Sequence, residues 1–526
     1  MPDLEADYVV VGAGSAGSVV AARLSEDPGC KVILLEAGTT QSSFLNDIPA
    51  MNLQFVAGPK TDWMYPGEPD PTSNGRAQTW HAGKMMGGGG GLNGLVYIRG
   101  LKRDYDDWAA AGCTGWGWDD VTPFFRQVEN FEPGGQGSLG TSGPLSITTQ
   151  DHPHILSEAF VAACAAVGLP TLADHNGGSR EGAFIGLTNQ KNGQRCSAAK
   201  AYLTPAKGRA NLRIIRGAEA KSLGFEGQRA RSVRLASGQV VRARREIIVS
   251  AGALQSPVLL LRSGIGPAED LRALGIEVVA DSPEVGANLQ DHIAAGGRRF
   301  VNVPTFNSEA NLVGGLKHLY KYLTARQGAF ASPAVQAMGW ARSREGLDGP
   351  DLQLSFQPFA GMNLATRPRK FMPEPCVSLG FTVARPFARG RVSLRDAGGR
   401  VAINFPLLGD ERDMASVVGG LRLVDRIFAA EPLAGYVTPD EPYLGKSDEE
   451  LAAFARQIVG LGIHTVGTCR MGGDDRSVTD TALRVRGVEG LRVIDASIMP
   501  RVPSANTNAA SMMIGEKGAA AIRQAA

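Results

Sequence analysis

Three glycines and a glutamate near the start of the chain have the types and spacing of a dinucleotide site. Gly12, Gly14 and Gly17 form a G-x-G-x-x-G run, and Glu36 ends the next apolar run. Such glycines permit a tight turn, a close approach of backbone to a pyrophosphate, and tight packing of a helix on a strand. A carboxylate at Glu36 accepts hydrogen bonds from an adenosine ribose. These four residues predict binding of an adenine dinucleotide, either FAD or NAD.

The residues around this run have the pattern of a β-α-β unit, which would hold them in place. Residues 8–11 are apolar and β-branched, as in a parallel strand buried on both faces. Residues 19–24 continue as a helix, and residues 31–35 form the second apolar strand. The N-terminus of that helix would offer free N–H groups and a partial positive charge to a pyrophosphate. We therefore expect an α/β fold at the start of the chain.

Length and composition limit the class of protein. The 526 residues exceed what one hydrophobic core supports, so two or more domains are expected. A net charge of +2, with Lys and Arg spread along the chain, gives no indication of nucleic acid or a membrane surface as a partner. No apolar run reaches transmembrane length, and the acidic N-terminus does not resemble a signal peptide. The six cysteines and seven histidines lack metal-ligand spacing, so we expect no metal and a cytoplasmic protein with reduced thiols.

A second glycine-rich stretch lies at residues 83–100. It contains Lys84 and five successive glycines at positions 87–91, followed by an apolar run. Consecutive glycines are entropically costly within a folded enzyme. The stretch is therefore expected to place backbone N–H groups against a phosphate or a ring.

These and later motifs resemble the glucose–methanol–choline (GMC) oxidoreductase family of FAD enzymes over nearly the whole chain. Gly89 and Gly90 stand where that family usually has serines, and Leu92 stands where a histidine attaches FAD in its covalent members. The resemblance therefore implies FAD bound non-covalently. The stretches that carry it are 83–93, 195–199, 252–267, 285–292, 463–472 and 503–508.

The resemblance implies an α/β fold (α+β overall). It would comprise a Rossmann-like FAD-binding domain and a substrate domain built on a mostly antiparallel sheet with helices. We expect the FAD domain over 1–300, with parts of 40–80 and 150–210 covering the site or joining the substrate domain. The substrate domain would span 301–462, and 463–526 would return to the FAD domain with the catalytic residues. Independently, residues 351–357 alternate polar and apolar, which predicts a half-buried strand.

Residues expected to bind FAD come from these motifs. They are Gly12, Gly14, Ser15, Ala16, Gly17, Glu36, Ala37, Trp63, Met86, Gly87, Gly91, Asn93, Gly94, Leu95, Val96, Ala220, Ala251, Gly252, Asp495, Ala496 and Asn508.

Two residues are expected to be catalytic. Oxidation of an alcohol removes the hydroxyl proton and a hydride, so the protein must supply a base and a hydrogen-bond donor. His464 occupies the position of the family's catalytic histidine, and Asn508 lies where the family places His or Asn. His464 would be the base, and Asn508 would hydrogen-bond the substrate oxygen. We expect His292, which follows Asp291, to be a buried structural histidine.

The resemblance implies FAD-dependent oxidation of an alcohol to its carbonyl. Within the family it lies nearest to bacterial choline dehydrogenase-like and hydroxymethylfurfural oxidase-like members. A primary aromatic, furanic or aliphatic alcohol is expected, with dioxygen or another electron acceptor. No charge cluster is assigned to the pocket, so a quaternary amine is not favoured over the others. The alternatives are a redox-silent hydroxynitrile lyase and a flavin-binding protein without catalysis. The oligomeric state stays open.

Overall fold

The structure is a computed structural model that describes residues 4–40, 44–132, 137–150, 152–178, 181–363, 370–438 and 445–525. Two large sheets organise these residues, and each sheet has its own core.

The first sheet is seven-stranded and mainly parallel, as the β-α-β pattern predicts. In spatial order its main path is Leu212–Arg216, Val32–Glu36, Leu4–Val11, Val240–Val249, Arg229–Leu235 and Ala220–Glu226, with Leu491–Val493 pairing to Val240–Val249. The last two strands of the path are antiparallel. Val9 pairs with Ile33 on one side and Ile247 on the other, all within one buried cluster. Helices Ser15–Leu24 and Asn508–Ala525 pack together beside this sheet.

The second sheet is six-stranded and antiparallel. Its order is Gly460–Leu461, Ile293–Phe300, Cys376–Val383, Leu352–Gln357, Ala337–Ala341 and Gly182–Ile185. One face packs on helices Ile155–Ala166 and Glu411–Phe428 and forms a second core. The opposite face points to the first sheet's loops. The alternation at 351–357 is therefore confirmed as a strand with two distinct faces.

The remaining elements connect or cover the two sheets. Further helices are Lys102–Ala110, Trp118–Val128, Gly252–Arg262, Leu312–Ala325 and Asp448–Ile458, and further strand pairs are Tyr65–Asp70 with Arg76–Trp80, Val96–Tyr97 with Leu187–Thr188, and Arg391–Leu394 with Val401–Asn404. Among the described residues, no helix is both long and apolar enough to span a membrane.

The strands of each sheet can be compared with the predicted domain ranges, which stay a prediction. Strand Ile293–Phe300 falls within the predicted FAD segment 1–300 but belongs to the second sheet. Strand Gly182–Ile185 also falls within 1–300 and belongs to the second sheet. It lies in the 150–210 segment, which was expected to cover the site or to contribute to the substrate domain. The predicted fold class is confirmed, with a Rossmann-like sheet and a largely antiparallel second sheet.

Candidate active site

The first glycine run makes the turn that its sequence predicts. Gly12 has φ +105°, and a Cβ there would lie 2.3 Å from the Ser250 carbonyl oxygen. A Cβ at Gly17 would lie 2.0 Å from the Gly12 oxygen, so helix and strand touch through backbone. Gly14 has only the Ser250 oxygen near its hypothetical Cβ, at 4.0 Å. Its open side is free for the close approach of a ligand.

Glu36 lies at the end of its strand and is 5% exposed. Its Oε2 accepts a hydrogen bond from the Ala13 N–H at 2.9 Å, and its Oε1 accepts one from the Gly38 N–H at 2.7 Å. Burial raises the pKa of this carboxyl to about 7, although both backbone N–H groups oppose that rise. The carboxyl is therefore fixed beside the glycine turn by two backbone N–H groups.

The carboxyl ends of the parallel strands meet at one edge of the first sheet. The loops that follow them hold the predicted residues Ala251, Gly252, Asp495 and Ala496. Asp495 Oδ2 accepts from the Gly252 N–H at 2.8 Å, which ties two of these loops together. Ligands of open α/β sheets bind in such a crevice.

The second glycine run forms the opposite wall of the crevice. The Gly87 N–H donates to the Ala13 oxygen at 2.8 Å, and a Cβ at Gly88 would lie 2.8 Å from Gly14 Cα. Gly89 has open space where a Cβ would stand. The two glycine runs therefore touch through backbone, with no room for a side chain between Gly14 and Gly88, and Gly89 lies beside this contact with open space above it.

Arg195 supplies a buried cation at this wall. Its Nη1 donates to the Gly90 oxygen at 3.2 Å and to Asn93 Oδ1 at 2.9 Å, while its buried Nη2 has no hydrogen-bond partner among the described residues. Burial lowers its pKa to about 10, which still leaves it charged at neutral pH. A buried cation beside the second glycine run, with one N–H₂ group left unsatisfied, fits a dinucleotide with an anionic pyrophosphate, as FAD has.

The other residues expected to bind FAD lie in segments that adjoin the two glycine runs. Lys84 Nζ lies 3.9 Å from the Trp63 ring centroid and 3.7 Å from Glu219, the neighbour of Ala220. Trp63 and Ala220 therefore belong to one end of the crevice. Ser15, Ala16, Ala37, Met86, Gly91, Gly94, Leu95 and Val96 lie in the segments that form its walls.

His464 lies where the second sheet faces this crevice. Its Nε2 is 2.7 Å from Asn506 Nδ2, and Asn506 Oδ1 accepts from Gln353 Nε2 at 3.2 Å. The turn before it is unusual, because the β-branched Ile463 has φ +62°. Asp291 holds this turn, since its carboxyl accepts from the His464 N–H at 2.8 Å and from Thr465 Oγ1 at 3.2 Å. Burial raises the pKa of Asp291 to about 7.

His292 contacts the other nitrogen of His464. The two Nδ1 atoms are 2.9 Å apart, and His292 Nε2 is 3.0 Å from the Pro503 oxygen. Burial lowers the pKa of His292 to about 4; burial and the neighbouring His292 hold the pKa of His464 well below its ordinary range. His292 is buried, as expected, but it also touches the predicted base.

The structure does not bring Asn508 to His464. Asn508 Oδ1 accepts from Ser15 Oγ at 2.6 Å, and a Cβ at Gly90 would lie 3.3 Å from it. Asn508 therefore lies beside Ser15 and Gly90, its role toward the cofactor stays a prediction, and Asn506 stands beside His464. Asn506 and Gln353 were not among the residues expected from the sequence, and His292 was expected only as a structural residue. The signal for Asn506 was its place in the P-S-A-N-T-N segment, and that for His292 was its place in the 285–292 motif.

The fold and this site define a flavoprotein oxidoreductase that acts on CH–OH groups. The GMC oxidoreductase N-terminal model matches residues 6–294, and its C-terminal model matches residues 386–515. The chain therefore belongs to the GMC oxidoreductase family, and the resemblance seen in its motifs is confirmed.

Similar proteins extend over the full length. An oxygen-dependent choline dehydrogenase of Brucella anthropi is 39% identical, over 98% of this chain and 95% of that protein. A solved pyridoxine 4-oxidase from Mesorbium loti has a TM-score of 0.89 and 33% identity, covering 99% of both chains. A formate oxidase of Aspergillus oryzae RIB40 has a TM-score of 0.89 at 24% identity, over 100% of this chain and 99% of that one, which shows the shared fold.

Proposed function

We propose that this protein oxidises a primary alcohol to its carbonyl with non-covalently bound FAD, using His464 as the base and Asn506 as the hydrogen-bond partner of the substrate oxygen. The observation that carries the proposal is the 2.7 Å contact between His464 Nε2 and Asn506 Nδ2. Removal of a hydroxyl proton requires a base and a hydrogen-bond donor at the same place, and these two side chains are in direct contact.

The direction of each hydrogen bond follows from one fixed acceptor. The Pro503 carbonyl can only accept, so His292 Nε2 carries a proton and His292 Nδ1 carries a lone pair. His464 Nδ1–H then donates to His292 Nδ1, which leaves the lone pair of His464 on Nε2. His292 thus acts as a positioning residue that selects the tautomer able to accept a proton.

In the structure Asn506 Nδ2–H donates to His464 Nε2, so an alcohol hydroxyl would displace that hydrogen bond, donate its proton to Nε2 and accept a hydrogen bond from Asn506 Nδ2. Gln353 would keep Asn506 in that orientation through its bond to Oδ1. His292 Nδ1 would stabilise the imidazolium that results, because it accepts the opposite N–H. When bound, FAD supplies N5 of its ring system as the acceptor of the hydride.

The residue at the attachment position supports non-covalent binding of FAD. Leu92 is 6% exposed, and its aliphatic side chain has no nucleophilic atom. Acid precipitation should leave yellow flavin in the supernatant. Colour that remains with the pellet after washing would contradict this part of the proposal.

The names of the similar proteins suggest substrates to include in a test. A choline dehydrogenase and a pyridoxine 4-oxidase both point to a CH–OH group, and we propose an aromatic, furanic or aliphatic primary alcohol. Either dioxygen or another acceptor would restore the oxidised flavin. A cytoplasmic location is also proposed, because the six cysteines are buried thiols.

The test is an anaerobic alcohol panel followed by turnover with dioxygen and with an artificial electron acceptor. Bleaching of the flavin by an alcohol, with appearance of the carbonyl product, is the expected result. A hydroxynitrile lyase would release the carbonyl from a cyanohydrin while its flavin stays oxidised. A flavin-binding protein without catalysis would do neither.

A further inference from the structure

The face of the second sheet that points to His464 is uncharged in the rows nearest the site. Leu352, Leu354 and Phe356 pack into the core on the helix side, so the alternate residues of this strand point to the site. Gln353, the first of these, contacts Asn506 directly. Side chains that lie opposite Gln353 on neighbouring strands therefore share its face.

Strand register shows which residues lie side by side with Gln353 across neighbouring strands, and this set is the row nearest the site. Thr382 pairs with Gln353, and Ala294 pairs with Thr382 on the next strand. Trp340 pairs with Gln353 on the other side. Trp340 is fully buried and donates from Nε1 to the Ser504 oxygen at 2.7 Å. Its ring therefore presents no free face to a ligand.

The next row contains a hollow. Gly296, Gly380 and Ser355 pair across three strands, two residues along each strand from the row of Gln353 and further from His464. A Cβ at Gly380 would meet, among the described residues, only the backbone oxygens of Ala295 at 3.7 Å and Ser355 at 3.9 Å. Within 4 Å of that position, no side chain of the described residues fills the space over Gly380, while Thr382 stands at its edge.

Thr382 has an unused hydroxyl. Its Oγ1 is buried and has no hydrogen-bond partner among the described residues, although the side chain as a whole is half-buried. A buried hydroxyl without a partner is unfavourable, so a polar group of a ligand in the hollow would be bound there. The described part of this face carries one charged side chain, Arg298, which is exposed and cationic and lies in the row beyond Ser355 and Gly380.

We infer that the substrate is an uncharged alcohol with a second hydrogen-bonding group, which Thr382 binds in the hollow over Gly380. This inference rests on the proposed function and defines its substrate class. A quaternary ammonium has no N–H group and loses its hydration on burial, so it needs a carboxylate or open aromatic faces. Among the described residues, this face carries no carboxylate, its aromatic residue in the row of Gln353 is the buried Trp340, and Phe300 beyond Arg298 packs against Met372 and Cys376. Its one charge, Arg298, would repel a cation. Alcohols of the choline type should therefore be poor substrates.

The first experiment compares choline with 3,3-dimethylbutan-1-ol, which has the same shape without the charge. In anaerobic stopped-flow reduction of the wild-type holoenzyme, the neutral alcohol should be at least about tenfold better in kcat/KM, the effect of about 1.4 kcal/mol. Choline that is equal or better would overturn the inference and leave the proposed function intact. If no alcohol reduces the flavin, the proposed function fails and this inference fails with it.

The second experiment tests Thr382 with 4-methoxybutan-1-ol and hexan-1-ol, which differ by an ether oxygen in place of a CH₂ group. Thr382→Val should lower kcat/KM for the ether alcohol by about three- to tenfold, as expected for one lost neutral hydrogen bond. Hexan-1-ol should change less than twofold. Thr382→Ser should restore the preference, because it keeps the hydroxyl.

Ser378→Ala is the matched control, since Ser378 is on the same face beside Arg298 and away from His464. Binding of the two alcohols to the His464→Ala holoenzyme, followed by the flavin spectrum, separates affinity from chemistry. An equal effect of Thr382→Val on both alcohols would overturn the role given to Thr382.

Discussion

The Nδ1 atoms of His292 and His464 lie 2.9 Å apart, and the far nitrogen of His292 lies 3.0 Å from the Pro503 carbonyl oxygen. Two ring nitrogens at that distance share one proton. The carbonyl assigns it to His464, because His292 must use its own proton on Pro503. The relationship connects residues from two motifs that are remote in sequence.

We predict that removing the base slows the chemistry and spares the cofactor. His464→Ala should reduce the rate of anaerobic flavin reduction by about 10²- to 10⁴-fold, the usual contribution of positioned proton transfer. The flavin spectrum should persist, because His464 lies outside the two glycine runs. His154→Ala, on the far side of the second sheet, is the control. A variant within a few-fold of wild type would refute His464 as the base.

The pH dependence should follow the protonation of His464. Burial and the neighbouring His292 keep its pKa below the ordinary value of 6.5. Only the neutral imidazole accepts a proton, so the reduction rate should be constant at and above the ordinary histidine pKa of 6.5 and fall only at a pH well below it. The same limb should be absent in His464→Ala. Stopped-flow flavin reduction with a saturating alcohol across acid pH measures the profile of wild type and of His464→Ala. A wild-type rate that rises through an ionisation above pH 7 would contradict His464 as the base.

His292 should affect the rate through the tautomer of its neighbour. In His292→Leu no acceptor fixes the proton on Nδ1, and we expect about a 10- to 100-fold lower kcat, at roughly 1.4 kcal/mol per tenfold, with little change in KM. His292→Asn, which retains an acceptor oxygen, should recover part of the rate. A purely structural role would instead lower the thermal stability of both variants equally and leave the pH profile unchanged.

Asn506 and Asn508 should separate into two different defects. Asn506→Ala should slow flavin reduction by about 10- to 100-fold, since one donor to the substrate oxygen is lost. Asn508→Ala should keep most of that rate and release FAD more readily, because its partner is Ser15. Anaerobic reduction kinetics measure the rate of each variant, and FAD titration of the apoprotein measures its affinity for the cofactor. A larger rate defect for Asn508→Ala would restore the pairing expected from the motif spacing.

Glu36 should govern retention of the cofactor. Glu36→Ala removes an acceptor for a ribose, and a hydrogen bond to a charged group contributes about 1.5–3 kcal/mol. FAD affinity of the apoprotein should fall accordingly, while the ranking of alcohols stays the same. Glu26→Ala, at the exposed end of the first helix, is the matched control. Unchanged FAD affinity in Glu36→Ala would exclude the ribose contact.

Local patterns in the sequence determined the family, the cofactor class and much of the fold. Gly12, Gly14, Gly17 and Glu36 lie in one β-α-β unit. Because that unit has a regular local geometry, the sequence spacing of these residues is enough to predict that they lie together. The alternation at 351–357 likewise defines two faces without any knowledge of neighbours. His464 was identifiable because its motif is contiguous.

The tertiary structure alone decided which side chains meet. Asn506 and Asn508 are two residues apart where the last helix begins, and side chains so placed point in different directions. The motif spacing therefore did not distinguish a partner of His464 from a partner of Ser15. His292 and Gln353 reach the site from other strands, and strand register, which brings Thr382 and Gly380 beside Gln353, is set by pairing between segments remote in sequence.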